Sequence, residues 1–212
     1  MSIPNIIIVD YGVGNLHSVK RAFEHFKVSA RVSSDISAIK SADAIILPGV
    51  GSFESGMRGL EQCSLIDPIK KISESKKPIL GICLGAQLLL NKGLEFGEHK
   101  GLGIISGDVV KFPKFKDNEK VPHVGWNKIY PPNINLWNNT ILKNIKNNSK
   151  VYFVHSFVLQ PKRKDDILAL SEYGGYEFCS AVKKGNIIGC QFHPEKSGKI
   201  GLDIIKSFIE FI

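Results

Sequence analysis

Cys83 stands between two glycines in the run Gly81-Ile82-Cys83-Leu84-Gly85, where an apolar stretch ends and a helical pattern begins. A nucleophile held between glycines at a strand-to-helix turn is lifted out of the sheet on a tight bend, the thiol counterpart of the hydrolase nucleophile elbow. A sulfur there also lies at a helix N-terminus, a setting that favours thiolates. Without its surroundings, a cysteine in an apolar run is most often inert packing. Far downstream, however, the apolar run Ile187-Ile188-Gly189-Cys190-Gln191-Phe192 ends in His193-Pro194-Glu195. A thiol nucleophile needs a base, and the base needs a group that fixes its tautomer and stabilises its charged form. His193 and Glu195 supply both, and Pro194 resists helix so that the flanking side chains can lie on one side of the turn. The chemistry is attack by Cys83 on a carbonyl-type carbon, with proton transfer through His193. His155 is a rival base, but it lies inside an apolar run and has no acid two residues on.

These residues need a scaffold that brings them to one place. Residues 5–9, 28–32, 42–47 and 78–82 are near-continuous apolar strands, as buried parallel strands should be. Helical patterns fall over residues 15–26, 54–60, 68–75 and 84–92. The alternation argues for an α/β domain with a mainly parallel sheet. The second half reads more extended, over 102–112, 127–130, 151–159, 167–172, 177–182 and 187–192, and residues 200–212 close as an amphipathic helix. The asparagine-rich stretch 131–150 reads as a loop around a short helix, with no role assigned. With no repeat and no long linker, residues 1–212 are expected to form a single domain. Ligands in open α/β sheets sit at the carboxyl ends of strands, where Gly12, Gly49, Gly51 and Cys83 all fall. Gly12-Val13-Gly14 is not a dinucleotide fingerprint, because its third glycine would fall at His17.

With the elbow and the His-Pro-Glu turn in place, the chain resembles the class I (triad) glutamine amidotransferases. Asp10-Tyr11-Gly12-Val13-Gly14-Asn15, Leu47-Pro48-Gly49-Val50-Gly51-Ser52-Phe53, Val121-Pro122-His123-Val124-Gly125-Trp126-Asn127 and Tyr152-Phe153-Val154-His155-Ser156-Phe157 extend the likeness to nearly the whole chain. Within that family they resemble the glutaminase subunits of imidazole glycerol phosphate synthase. The resemblance implies a flavodoxin-like open, mostly parallel sheet with flanking helices and additional antiparallel strands. It implies hydrolysis of glutamine to glutamate and ammonia by Cys83, His193 and Glu195, without a cofactor or metal. Oxyanion donors would come from Leu84, the residue after the nucleophile, and from the Gly49-Val50-Gly51 loop, whose glycines let its peptide planes reorient. The resemblance also implies that Gln87 and the main chain at Ser156 and Phe157 hold the glutamine. The ammonia would pass to a cyclase subunit with a TIM-barrel fold, met near Trp126, Tyr152 and Lys196, most simply in a heterodimer. Two features depart from the pattern. Ala86 replaces the family's usual methionine, and residues 92–99 resemble paralogues that serve surface-polysaccharide sugar modification. A cysteine peptidase-like thiol hydrolase would use the same triad, and a non-catalytic module would not need all three residues together.

The chain has 212 residues, 43% of them hydrophobic, which suits a substantial core. No apolar run approaches the roughly 18 residues a membrane span needs, and the apolar run near the start is too short for a signal peptide. A cytoplasmic setting is expected, with Cys63, Cys83, Cys179 and Cys190 as free thiols. Their spacing matches no metal site. The net charge of +8 is diffuse and lysine-rich, and the densest segment, 111–117, reads as a solvated loop or sheet edge rather than a nucleic-acid patch. Such charge would suit an acidic face on a partner, with salt-sensitive assembly.

Overall fold

The computed structural model describes residues 4–115 and 119–212, so segment 111–117 is described only as far as Phe115 and the rest of it lies outside the described residues. The first half alternates as its sequence requires: β1 (Ile6–Val9), α1 (Leu16–Glu24), β2 (Ala30–Ser33), α2 (Ile36–Ser41), β3 (Ala44–Leu47), α3 (Phe53–Gln62), α4 (Ile66–Glu74), β4 (Ile79–Ile82) and α5 (Leu84–Leu88). There follow β5 (Lys92–Gly93), β6 (His99–Lys100), β7 (Gly107–Lys111), β8 (His123–Ile129), β9 (Ser149–His155), β10 (Phe157–Pro161), β11 (Ile167–Tyr173), β12 (Tyr176–Lys184), β13 (Ile187–Cys190) and α6 (Gly198–Ile209).

The main sheet runs β2-β1-β3-β4-β13-β12-β10-β7-β5-β6, with β11 paired to β12. Its β2-β1-β3-β4-β13 portion is parallel, and β12 turns it antiparallel. This is the mixed, mostly parallel sheet with flanking helices and added antiparallel strands that the sequence implies. Strands β1, β3, β4 and β13 are buried at every residue, because helices cover both faces. Alternation along β1 sends Ile6 and Ile8 to one core and Ile7 and Val9 to the other. The first core lies under α1 and α6, whose Phe23 and Phe208 meet edge to face at 6.3 Å. The second lies under α3, α4 and α5, through Leu60, Ile69 and Leu88. Side-chain caps start three helices, from Asn15 to Ser18 N, Asp35 to Ala38 N and Ser52 to Ser55 N. Among the described residues no helix is long and apolar enough to cross a membrane.

Four local expectations are corrected. The helix expected over 84–92 stops at Leu88, and the strand expected over 102–112 begins only at Gly107. One cause serves both. The carbonyls of Leu88, Leu89 and Leu90 accept from the N–H groups of Leu102, Ile104, Ile105 and Gly103, so segment 102–105 satisfies the helix end instead of joining a ladder. The strand expected over 151–159 is two strands broken at Ser156: β9 pairs with β8 in a separate two-stranded ribbon, and β10 pairs with β7 and β12. Stretch 131–150 holds turns without the expected short helix. It is not idle, since Trp137, Ile141, Leu142 and Ile145 are buried in the first core, and Trp137 Nε1 donates to Leu168 O at 2.8 Å. Helix α2 has no counterpart in the sequence reading; its one signal is the Asp35 cap.

Candidate active site

Cys83 adopts φ 53° and ψ −110° between β4 and α5, a left-handed conformation that is strained for a residue with a side chain. Its N–H donates to Cys190 O at 2.7 Å, which ties the elbow to β13. The flanking glycines are steric necessities. A Cβ on Gly85 would stand 1.7 Å from Leu47 O, and one on Gly81 would stand 2.8 Å from Ala86 Cα. Ala86 fits the same crowding: it is fully buried, with its Cβ 3.0 Å from where a Cβ on Gly189 would lie.

Parallel pairing sets Cys190 opposite Ile82, so the chain leaving β13 emerges beside the elbow. There His193 Nδ1 and Glu195 Oε1 lie 2.7 Å apart, with both side chains only 2% exposed. A carboxylate accepts, so the proton sits on Nδ1 and Nε2 is left for the thiol. Ser197 Oγ donates to His193 O at 2.6 Å and accepts from Tyr152 N at 3.0 Å, which locks the turn against β9. Burial would push the His193 imidazole down, but the neighbouring Cys83 and the hydrogen-bonded Glu195 carboxylate outweigh it and hold the group up to about 9. In the resting geometry Nε2 makes no formed hydrogen bond, and such contacts commonly tighten only around substrate. Cys83 Sγ donates to Val154 O at 3.8 Å, and Gln191 Nε2 reaches the sulfur at 3.8 Å.

The thiol opens into a pocket of about 250 Å³ whose walls include Val50, Gly51, Leu84, Gln87, Glu95 and residues 154–157. A larger cavity, about 770 Å³, opens at the other end of the strands beside Ser75 and Asn186, away from the thiol. Gln87 is buried rather than exposed; its Nε2 donates to Gln191 Oε1 at 3.0 Å and to Phe157 O at 3.3 Å. Ser156 and Phe157 line the pocket at the strand break.

The Gly49-Val50-Gly51 loop packs directly on the elbow. A Cβ on Gly49 would stand 2.9 Å from Leu84 Cβ and 2.6 Å from the Tyr11 hydroxyl oxygen. Gly51 holds φ +104°. Among the described residues, the N–H groups of Leu84, Val50 and Gly51 find no protein acceptor. Tyr11, buried after β1, donates its hydroxyl to Pro48 O at the base of the loop. Burial, with the nearby Cys83, pushes the phenol well above its usual range, so it stays a donor. Tyr11→Phe strands that carbonyl. The expected result is a loss of about 1–3 kcal/mol in denaturant-derived stability, with the fold retained.

Trp126, Tyr152 and Lys196 lie on the triad's side of the molecule. Trp126, 52% exposed, faces Tyr152 across the ribbon at 6.2 Å between ring centroids. Tyr152 in turn lies 6.4 Å from the His193 ring, and Lys196 is exposed on the turn. His155 is no rival base, because its Nδ1 donates to Phe157 O and its Nε2 meets His123. Cys179 and Cys190 are buried, with burial pushing both thiols up. The sequence reading missed Glu95, whose Oε2 accepts from Phe53 N at 2.8 Å, as well as Gln191 and the Tyr11 anchor. A lone carboxylate in a loop carries no spacing signal, and Gln191 reads only as a strand residue.

The fold and the site define a class of protein. The sequence pattern of the class-I glutamine amidotransferases matches residues 7–210, and the chain belongs to that family, enzymes that release ammonia from glutamine with a Cys-His-Glu triad. Among curated relatives, imidazole glycerol phosphate synthase subunit HisH 1 of Legionella pneumophila (strain Lens) is 49% identical over 97% of this chain and 99% of its own. Subunit HisH of Lactococcus lactis subsp. lactis (strain IL1403) is 44% identical over 98% of each. The solved structure of PurLQS from Thermotoga maritima superposes with a TM-score of 0.72 at 21% identity, over 99% of each chain, a likeness of fold.

Proposed function

We propose that this chain is the ammonia-producing subunit of an imidazole glycerol phosphate synthase, with residues 1–212 acting as one glutaminase unit. Cys83 is the nucleophile, His193 the base and acid, and Glu195 the group that orients His193. One observation carries the assignment of roles: the sealed 2.7 Å contact between His193 Nδ1 and Glu195 Oε1 beside the elbow thiol. The full-length likeness to HisH subunits supports the histidine-pathway acceptor over the sugar-modification acceptor that residues 92–99 suggest.

Cys83 Sγ, its proton already passed to His193 Nε2, attacks the side-chain amide carbon of glutamine. A C–S bond forms, and the carbonyl oxygen becomes an oxyanion facing the N–H of Leu84 and those of the Gly49-Val50-Gly51 loop. When the C–N bond breaks, the imidazolium gives its proton to the departing nitrogen; ammonia leaves and a glutamyl thioester remains. Water then attacks while losing a proton to His193. The C–S bond breaks, glutamate departs, and the proton returns to sulfur. The carboxylate of Glu95 receives the substrate's α-ammonium group, while Gln87 Oε1 and the main chain at Ser156 and Phe157 hold the rest of its amino-acid end. Val50→Pro removes one oxyanion donor. It should lower kcat by about 100- to 1000-fold with little change in KM, read as ammonia released.

The partner is a cyclase subunit with a TIM-barrel fold, seated over Trp126, Tyr152 and Lys196. An exposed tryptophan set edge to face on Tyr152, which itself neighbours the triad histidine, is a fit anchor for such a face. Mixing the chain with a barrel-type cyclase should give a stable complex by gel filtration, with glutaminase turnover rising when the cyclase is loaded with its nucleotide substrate. Full turnover by the isolated chain, with no complex formed, would sink the reading.

A further inference from the structure

The ribbon of β8 and β9 holds two buried imidazoles that the triad chemistry leaves unused. His123 and His155 are opposite one another in register, and only 2% and 5% exposed. The acceptor at one end fixes every proton between them. Phe157 O can only accept, so His155 Nδ1, at 2.8 Å, carries hydrogen. His155 Nε2 must then accept, and His123 Nδ1 donates to it at 3.0 Å. His123 Nε2 is left as an acceptor, 3.4 Å from the Asn127 amide nitrogen, which also donates to Glu172 O at 2.7 Å. Burial pushes His123 down to about 4 and His155 to about 3, which keeps both rings neutral. His123 is stacked between Phe153 at 5.0 Å and Tyr173 at 4.1 Å, and His155 packs on Phe112 at 5.0 Å.

This chain of bonds ends at the point where the strand run leaves one sheet for another. At Ser156 the ladder of the ribbon stops and that of the main sheet begins. The Phe157 carbonyl just beyond the break takes two side-chain donors, His155 from the ribbon and Gln87 from the elbow helix. One oxygen thus ties the two walls of the pocket together. We propose that His123 and His155 are positioning residues for glutamine binding: their bond holds the Phe157 carbonyl, and through it the main chain at the break, where the substrate's amino-acid end must lie. The inference rests on the reading of residues 156 and 157 as substrate contacts.

His155→Asn sets an amide nitrogen where Nδ1 lies and keeps the donor to Phe157; His155→Leu keeps bulk and burial without it. In the isolated chain, His155→Leu should raise KM for glutamine about tenfold, as the loss of one buried hydrogen bond implies, with kcat within about threefold. His155→Asn should restore KM to within about threefold. His123→Phe, which keeps the ring stack and removes the donor to His155, should shift KM in the same direction by less, and it reads the same relay if the leucine variant fails to fold. In the ¹⁵N spectrum of the unaltered protein near neutral pH, both imidazoles should be Nδ1–H tautomers. An Nε2–H tautomer for either, or equal KM in folded Leu and Asn variants, overturns the proposal. Ser156→Pro separates the two readings. If it leaves KM unchanged, the substrate-contact reading fails. If it raises KM while His155→Leu does not, only the relay fails.

Discussion

Cys83→Ala should abolish ammonia release, with a fall in turnover of about 10⁶-fold, the scale seen when the nucleophile of a triad is removed. The size follows from the geometry. The other triad members act only through the sulfur, because His193 Nε2 has no other protein partner among the described residues and Glu195 serves His193. What survives is binding and the oxyanion donors. The fold should persist, since alanine accepts the elbow's position without new bulk and is freed of no essential packing. The positive φ of the site keeps its strain, so the thermal midpoint should move little. The measurement is glutamate formed in a coupled assay, beside labelling by a glutamine-derived electrophile. The unaltered chain should be labelled at Cys83 alone and should cleave no peptide, which separates a glutaminase from a thiol peptidase. Ammonia release from the unaltered chain no faster than from the alanine variant, and no faster than background, would leave the chain as a binding module on this fold.

The second large effect is that of Glu195→Gln, which should cost on the order of 10³–10⁴-fold in kcat. The glutamine side chain keeps the shape but withdraws the charge that favours the imidazolium, and it permits the wrong tautomer. Because His193 is held up to about 9, the basic limb of kcat/KM in the unaltered chain should fall near that pH. Loss of the carboxylate should move the limb to lower pH. Stability carries the same signature with a definite sign. The folded imidazole binds its proton more tightly than the unfolded one, so its contribution is fully present below about pH 6.5 and is lost as pH rises through about 9. Denaturant midpoints between those values should therefore fall more steeply in the unaltered chain than in Glu195→Gln. Equal slopes would mean that the carboxylate does not govern His193.

The elbow and its neighbours were legible because each is announced locally. Gly81 and Gly85 flank Cys83 for a steric reason that any sequence must obey: a methyl group on Gly85 would overlap the Leu47 carbonyl. The buried strands were legible because parallel strands covered on both faces are apolar without interruption. The His-Pro-Glu turn was legible because two residues suffice to pair an imidazole with a carboxylate. Glu95 was not, since a single carboxylate in a loop looks the same whether it faces solvent or a pocket. Tyr11 has no local signal beyond its place in the run Asp10–Asn15; that its hydroxyl reaches Pro48 depends on β1 lying beside β3.

The amino-acid sequence by itself determined the local features: which segments are buried strands, where the sulfur is raised on a bend, and which imidazole has an acid at hand. Tertiary structure alone decided where α5 stops, because the carbonyls that end it are satisfied by N–H groups of segment 102–105. It alone split the run 151–159 at Ser156, because the two halves find different partner strands. The physical reason is common to both. A backbone group must be paired once it is buried, but its partner lies far along the chain, and no residue's own preference records which distant segment will arrive to meet it.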